Sequence, residues 1–467
     1  GKTTGRYNTN GADNVFLGMN VGVFNTGHSN VFLGNEVASL SNGGNNNVLL
    51  GYKAGNHIND GNYNVFLGNK TGMSNTTGSY NVFLGYETGM LNNTGSANIF
   101  LGYRAGRNNN GDSNIIIGIG DTSDNPTSTP AQGSSNTIFG INAGLQNNGD
   151  KNTLLGVSSG TSNSGDDNVF LGTEVGVNNT GSRNVFLGND VASLSNGGEN
   201  NVFLGFQAGK HTHTGKDNVF LGNKTGMCNT TGSYNVYLGY ETGMLNNTGE
   251  ANIFLGYRAG RNNQGDSNII IGIGDRSDNP TNTIAQGSSN TIFGIDAGLY
   301  NNGNKNTLLG VSSGTSNYGH DNVFLGTEVG VSNTGSRNVF LGNDVASTSN
   351  GGTNNVFLGF QAGKDMHDGQ NNVFLGNNAG QHSKNTNNNV FLGTNTGQSN
   401  SGTENVFLGI NSGRQNGGAS NVFLGNEAGA NSVSGNKNVF LGHYSGETWM
   451  YEAPPTQYFT RLMVCPM

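Results

Sequence analysis

Four aspartates have the type and spacing to do chemistry. They stand in two near-identical stretches, NIIIGIGDTSDNPTSTPAQGSS from Asn114 and NIIIGIGDRSDNPTNTIAQGSS from Asn268. Asp121 and Asp124 in the first, and Asp275 and Asp278 in the second, carry hard carboxylate oxygens of the kind Ca²⁺ takes. Calcium takes about six to eight oxygens, so two carboxylates per stretch fall short of a ligand set, and neither the EF-hand nor the G-G-x-G-x-D spacing is present. The four are weak calcium candidates on protruding loops, and no metal or cofactor is assigned. His28, His57, His211, His213, His320, His367, His382 and His443 follow no metal-ligand spacing; even the H-T-H of His211 and His213 reads as a solvated corner. Cys228 and Cys465 make no disulfide framework, and Cys228 replaces Ser74 of an equivalent stretch (GMSNTTG against GMCNTTG). No G-x-S-x-G or P-loop stands in a strand–helix context. Sequons at Asn75, Asn92 and Asn178 are what chance yields in a chain so rich in Asn and Thr. A thin coil offers no evident cleft, and the chain is not expected to be an enzyme.

The elements that carry these residues are unusual. The 467 residues include 80 Gly, 32% hydrophobic and 11% charged residues, against about 45–50% apolar in an ordinary globular core. The net charge of -8 is thinly spread with no basic patch, so nucleic acid is not an expected partner. No apolar run approaches the ~20 residues of a helical membrane span. The start GKTTGRYNTN shows no leader; it falls in phase with the second half of a repeat, so the chain is expected to open mid-coil without a cap.

The motif N-V-F-L-G recurs 26 times, from Asn14 to Asn438, at spacings of 16 or 17 residues except for two of 22. A 154-residue super-repeat lies on top, covering 14–167, 168–321 and, in part, 322–446. A period this short excludes helical repeats, which run about 33 residues or more. The β-branched and aromatic motif between Gly and Asn reads as a strand between turns. The expected fold is therefore all-β: a continuous parallel β-solenoid over 1–446 with 26 coils. At about 4.8 Å per coil it would form a rod of roughly 125 Å. Gly, and next to it Asn, supplies the positive φ of the corners. The motif asparagines (Asn14, Asn30, Asn64, Asn81, Asn168 and Asn322 among them) are expected to stack amide on amide.

The strand is apolar on both faces. Its central position is aromatic at Phe16, Phe32, Phe66, Phe83, Phe100, Phe170, Phe186, Phe203, Phe220, Tyr237, Phe254, Phe324, Phe340, Phe357, Phe374, Phe391, Phe407, Phe423 and Phe440. One face fills the coil. The other would be an apolar stripe far beyond the few hundred Å² a soluble monomer exposes. The preferred reading makes the Phe stripe an interface between chains, closed as a parallel homotrimer. The other reading lets the coil bury Phe itself, over the small residue that follows (Ala54, Thr71, Ala105).

The pattern N-V-F-L-G-x-x-A-G-x-x-N-x-T-G over 14–442 resembles the repeats of tail-fibre-like surface proteins. It is similar in style to the head repeats of trimeric autotransporter adhesins, whose unit is shorter and richer in Ala. The resemblance implies a trimeric parallel β-roll or β-helix on a fibre. No segment resembles the self-cleaving chaperone that often ends tail fibres.

Residues 447–467 leave the repeat. Trp449 and the alternating Tyr458, Phe459, Leu462 and Val464 suit a cap or an assembly tail that adds a strand to a neighbour, at the joint of a head-to-tail filament of rods. The sequence therefore points to an extracellular structural fibre, on a cell surface or virion, whose partner is itself. The alternative is an adhesin or tail-fibre shaft that binds glycans or another host-surface receptor. The threonines are too irregular for ice binding, and the strict phase of the motif argues against a disordered Asn-rich chain.

Overall fold

The computed structural model describes residues 1–121, 130–195, 197–275, 285–348, 352–384, 386–432 and 434–446. Two compact units form, Gly1–Asn235 and Val236–Met467. The first holds thirteen strands, β1 (Val15–Met19) to β13 (Val219–Leu221); the second holds thirteen more, β14 (Val236–Leu238) to β26 (Val439–Leu441). The described residues contain no helix. Each unit is a parallel β-solenoid with one short strand per coil. The described residues do not include Trp449, Tyr458, Phe459, Leu462 or Val464, nor Asp124 or Asp278.

Within a unit, each strand pairs with the next in the same register of the motif: Val65 opposite Val82, Phe66 opposite Phe83, Leu67 opposite Leu84. The corners join the ladder too. Numbering the motif Asn as position 1, Lys70 N–H at position 7 donates to the Tyr52 carbonyl at 2.7 Å, Gly72 at position 9 to Thr88 at 3.0 Å, and Thr76 at position 13 to Asn93 at 3.0 Å. Backbone groups on every side of the coil thus find partners in the adjoining coil, as buried N–H and C=O groups must.

Two tight points recur in the coil: the first is Gly throughout, and the second is Gly in most coils but Ala38, Ala192 and Ala346 in three, with φ 46 to 48. Gly68 has φ +140, and a Cβ there would lie 2.0 Å from the Gly85 carbonyl oxygen of the next coil. Gly72 has φ +55, and its Cβ would lie 2.4 Å from the Phe66 ring. A third corner departs from the Gly/Asn expectation. Position 7 is left-handed yet carries Glu36, Lys53, Lys70, Glu87 and Arg104, with φ from 51 to 57. Single left-handed residues cost about 1–2 kcal/mol, offset here by the inter-coil hydrogen bond each makes.

The phenylalanines are inside their own chain, which corrects the interface reading of the Phe stripe. Phe32, Phe66, Phe83, Phe100, Phe170, Phe186, Phe203 and Phe220 are buried in the first unit. Tyr237, Phe254, Phe324, Phe340, Phe357, Phe374, Phe391, Phe407 and Phe423 are buried in the second. Phe16 and Phe440 pack half-buried against the same cores. The rings stack along the coil direction, 4.8 Å apart for Phe66–Phe83 and 4.7 Å for Phe83–Phe100, with planes within 3°. The reason is local. Six residues after the ring stands Gly in most coils, where a Cβ would collide with it, and the small Ala38, Ala192 and Ala346 after Phe32, Phe186 and Phe340, so the aromatic side becomes the inside. Small position-8 residues such as Ala54, Thr71 and Ala105 close the core beside it.

The motif asparagines are also inside; the expected amide-on-amide bond is present at some of them, as from Asn64 Nδ2 to Asn47 Oδ1 at 3.1 Å and from Asn372 Nδ2 to Asn355 Oδ1 at 3.0 Å, and bonds to the backbone accompany it. Asn30 N–H donates to Asn14 Oδ1 at 2.9 Å, while Asn14 Nδ2 donates to the Gly27 carbonyl at 2.8 Å. The pair recurs at Asn30, Asn64, Asn81, Asn168 and Asn322. The motif Asn N–H has no carbonyl opposite it in the ladder, so the previous Asn side chain satisfies it. Amide-on-amide bonds also run along the second recurring Asn, position 12: Asn163 Nδ2 to Asn147 Oδ1 and Asn179 Nδ2 to Asn163 Oδ1, both 2.8 Å.

Candidate interaction surface

With Phe inward, alternation turns positions 2 and 4 outward. In β6 (Ile99–Leu101), Phe100 is 0% exposed while Ile99 and Leu101 on either side are 45% and 42% exposed. In most strands from β2 to β25 the central residue is buried and its neighbours half-buried or exposed; the central Ile116 and Ile270 are themselves half-buried. The result is an apolar face of two columns, Val/Ile/Thr at position 2 and Leu/Ile/Phe at position 4. Thirteen coils at ~4.8 Å, with columns about 6.6 Å wide, give roughly 800 Å² for one unit. That exceeds the roughly 300–600 Å² of the largest apolar patch on a typical monomer. It equals the ~800 Å² per partner of a standard protein–protein interface.

Position 6 borders this face just beyond the strand glycine. It carries exposed large side chains over five consecutive coils in the first unit: Tyr86, Tyr103, Ile119, Ile141 and Val157. Tyr86 and Tyr103 stack at 5.3 Å. Elsewhere position 6 is often Asn or Thr, as at Asn35, Asn69, Thr173, Asn189 and Asn223.

Position 7 builds a column of charge around the adjoining corner. Glu87 is buried and receives Arg104 Nε at 2.9 Å and Lys70 Nζ at 3.2 Å, with Arg107 Nη2 at 3.6 Å. The second unit repeats this at Glu241, with Arg258 at 2.8 Å and Arg261 at 3.4 Å. Burial pushes the Glu87 carboxyl up, but hydrogen bonds from Lys70 and Arg104 and the nearby guanidinium charges outweigh it, so its pKa lies below the ordinary value. Asp190 and Asp344 behave alike: burial is outweighed by Lys210 at 2.5 Å and Lys364 at 2.6 Å and by neighbouring hydroxyl and amide donors.

The residue two places before the next motif Asn forms a column of exposed or half-buried acceptors for the N–H of the previous coil. Ser79 accepts from Asn62, Asp112 from Ser96, and His320 Nδ1 from Asn304 at 2.9 Å. Rows of Ser, Asp and Asn on this side thus brace the backbone.

Each unit also has a cleft, which the sequence reading did not anticipate. The first is lined by Arg104, Arg107, Ile116, Asp121, Ala143 and Leu145 among others. The second has the equivalent Arg258, Arg261, Ile270, Asp275, Ala297 and Leu299. Both open where the coil is lengthened to 22 residues. Asp121 and Asp275 therefore sit on cleft walls. Among the described residues, no group of three or more His, Cys, Asp or Glu is placed to hold a metal ion.

The remaining residues singled out in the sequence have structural surroundings. Cys228 is half-buried, and burial pushes its thiol up, away from a reactive thiolate. His211 is held below its ordinary pKa by burial and the adjacent Lys210 charge. The sequon asparagines Asn75 and Asn92 are fully buried, whereas Asn178 is exposed. No helix of the described residues is long and apolar enough to cross a membrane.

No known protein-family model matches this chain, and no curated protein sequence matches it.

Proposed function

We propose that this chain is the structural subunit of an extracellular fibre, in which parallel copies associate through the Val/Leu face. The observation that carries the reading is that face itself: two apolar columns left outward although the coil interior is already filled by Phe and Asn. Cyclic symmetry about an axis parallel to the columns closes such an assembly without leaving the face exposed. Three copies is the stoichiometry we adopt, because the repeat resembles the heads of trimeric adhesins. The backbone ladder on every side of each coil supplies stiffness, and the apolar columns supply cohesion between copies. Electron microscopy of the purified protein tests this. The expected particles are elongated and thicker than one solenoid. A variant with Leu84→Asp, Leu101→Asp and Leu187→Asp should give particles one solenoid thick. Wild-type particles of single-solenoid thickness would overturn the reading.

A further inference from the structure

The face that would join copies has a weakness built into its origin. Positions 2 and 4 are Val and Leu in most coils, so sliding one copy by one coil, ~4.8 Å, replaces Val by Val and Leu by Leu. Such a face holds copies together without fixing where they sit along the columns. A flat strand pairing with uniform side chains is weakly registered for the same reason. Some feature that varies between coils has to break this degeneracy.

Position 6 varies in the required way. In the first unit it reads Met19, Asn35, Tyr52, Asn69, Tyr86, Tyr103, Ile119, Ile141, Val157, Thr173, Asn189, Phe206 and Asn223. Large apolar side chains are consecutive only from Tyr86 to Val157, and these five are 39 to 44% exposed. The face itself changes over the same coils, with Phe139 in place of Leu and Thr137 and Thr153 in place of Val. Strands β5 (Val82–Leu84), β6, β7 (Ile115–Ile119), β8 (Thr137–Ile141) and β9 (Thr153–Leu155) therefore carry an apolar zone three columns wide. Its size is about 20 by 24 Å, roughly 480 Å². The second unit carries the same zone at Tyr240, Tyr257, Ile273, Ile295 and Val311, again five consecutive coils.

We infer that these five-coil zones set the axial register between copies of this chain. The inference rests on the self-association reading above. A second copy is the occupant because the zone is continuous with the Val/Leu face, and another copy presents the same columns at the same ~4.8 Å interval over the same run of coils. In register, Tyr86 to Val157 of one copy lies beside the same five residues of the next. A slip of one coil brings Asn69 or Thr173 into the apolar zone. It buries a side-chain amide or hydroxyl without a matched partner, the arrangement buried polar groups avoid, and it moves one apolar side chain out against solvent.

The test uses a nitroxide at Thr77→Cys in a Cys228→Ser, Cys465→Ser background, with distances between copies read by pulsed electron resonance. Thr77 is exposed and lies one coil before the zone. The wild-type surface should give one narrow distance. A zone variant, Tyr103→Asn, Ile119→Asn and Ile141→Asn, should stay assembled and give a broad distribution. These substitutions place Asn where Asn35, Asn69, Asn189 and Asn223 already stand, so the coil accepts them. A control with the same polar load outside the zone, Met19→Asn, Tyr52→Asn and Phe206→Asn, should keep the narrow distance. A narrow distance in the zone variant, or a broad one in the wild type, overturns the inference. So does dissociation of the zone variant with the control intact, which would make the zone the main source of affinity. A wild-type protein with no inter-copy distance defeats the self-association reading instead.

Discussion

Phe83→Ala, set against Leu84→Ala, distinguishes the two sides of the strand most sharply. The Phe83 ring is 0% exposed and lies between Phe66 at 4.8 Å and Phe100 at 4.7 Å. Truncating a buried Phe to Ala costs about 3–5 kcal/mol, through lost transfer energy and the cavity left behind. Loss of two stacked contacts of about 0.5–1.5 kcal/mol each places the cost toward the upper end of that range. Leu84 is only partly buried, by its column neighbours. Truncating it should cost about 1 kcal/mol, a fraction of the ~1.5–3 kcal/mol for full burial.

A solenoid is a chain of nearest-neighbour interfaces, so the lesion should be read locally. Hydrogen exchange at Gly89, whose N–H bonds the Ala105 carbonyl at 2.9 Å, and at Val82, which bonds Asn98 at 2.8 Å, reports the opening of this coil. A loss of about 4 kcal/mol corresponds to roughly a thousandfold faster exchange. Phe83→Leu should fall between, since Leu49 and Leu154 fill the same column. Dilution separates the two faces further. The effect of Phe83→Ala should not change with protein concentration, whereas that of Leu84→Ala should grow with it as association contributes. Near wild-type exchange in Phe83→Ala, with a large acceleration in Leu84→Ala, would refute the assignment of inside and outside.

Four further outcomes follow from the geometry. Gly68→Ala should destabilise its coil beyond the ~1–3 kcal/mol of backbone strain alone, because its Cβ would lie 2.0 Å from the Gly85 carbonyl; unchanged urea unfolding would contradict this. Glu87→Ala should cost about 3–5 kcal/mol, since it removes the carboxylate shared by buried Arg104 and Arg107. The depressed pKa values of Glu87, Asp190 and Asp344 make their stabilisation complete above the ordinary carboxylate pKa of about 4 and lost as pH falls through the lower folded values. Urea midpoints should therefore fall below pH ~4, and Glu87→Gln should flatten that fall. Tyr237→Phe should cost about 1–3 kcal/mol in calorimetry, because the ring fits a column that is otherwise mostly Phe but the buried Asn246 amide loses the hydroxyl it donates to.

The repeat, the strand and the solenoid were legible because each position recurs 26 times and its period survives every substitution. The direction of the strand was not. Val65, Phe66 and Leu67 are all apolar, so alternation alone leaves two choices, and aromatic bulk suggested an interface. The deciding signal is the small residue six places after each ring, Gly in most coils and Ala at Ala38, Ala192 and Ala346, which makes room for it. The left-handed position 7 was hidden because Lys, Glu and Arg are poor markers of positive φ. The inter-coil bond that holds them is visible only once coils are stacked. The clefts and the Glu87 and Glu241 clusters depend on neighbouring coils in the same way. Position 6 was readable in principle, as an apolar run in a column that elsewhere alternates with Asn. It gains meaning only when positions 2 and 4 are known to face outward.

Sedimentation equilibrium of the intact protein tests the central claim most directly, since it weighs the assembly without assuming its shape. The account predicts a mass three times the 48.6 kDa of the chain at micromolar concentration. The triple variant Leu84→Asp, Leu101→Asp, Leu187→Asp should fall to the mass of one chain with its β-rich circular dichroism unchanged. A wild-type mass of one chain at the highest attainable concentration would contradict the claim that the outward Val/Leu face joins copies.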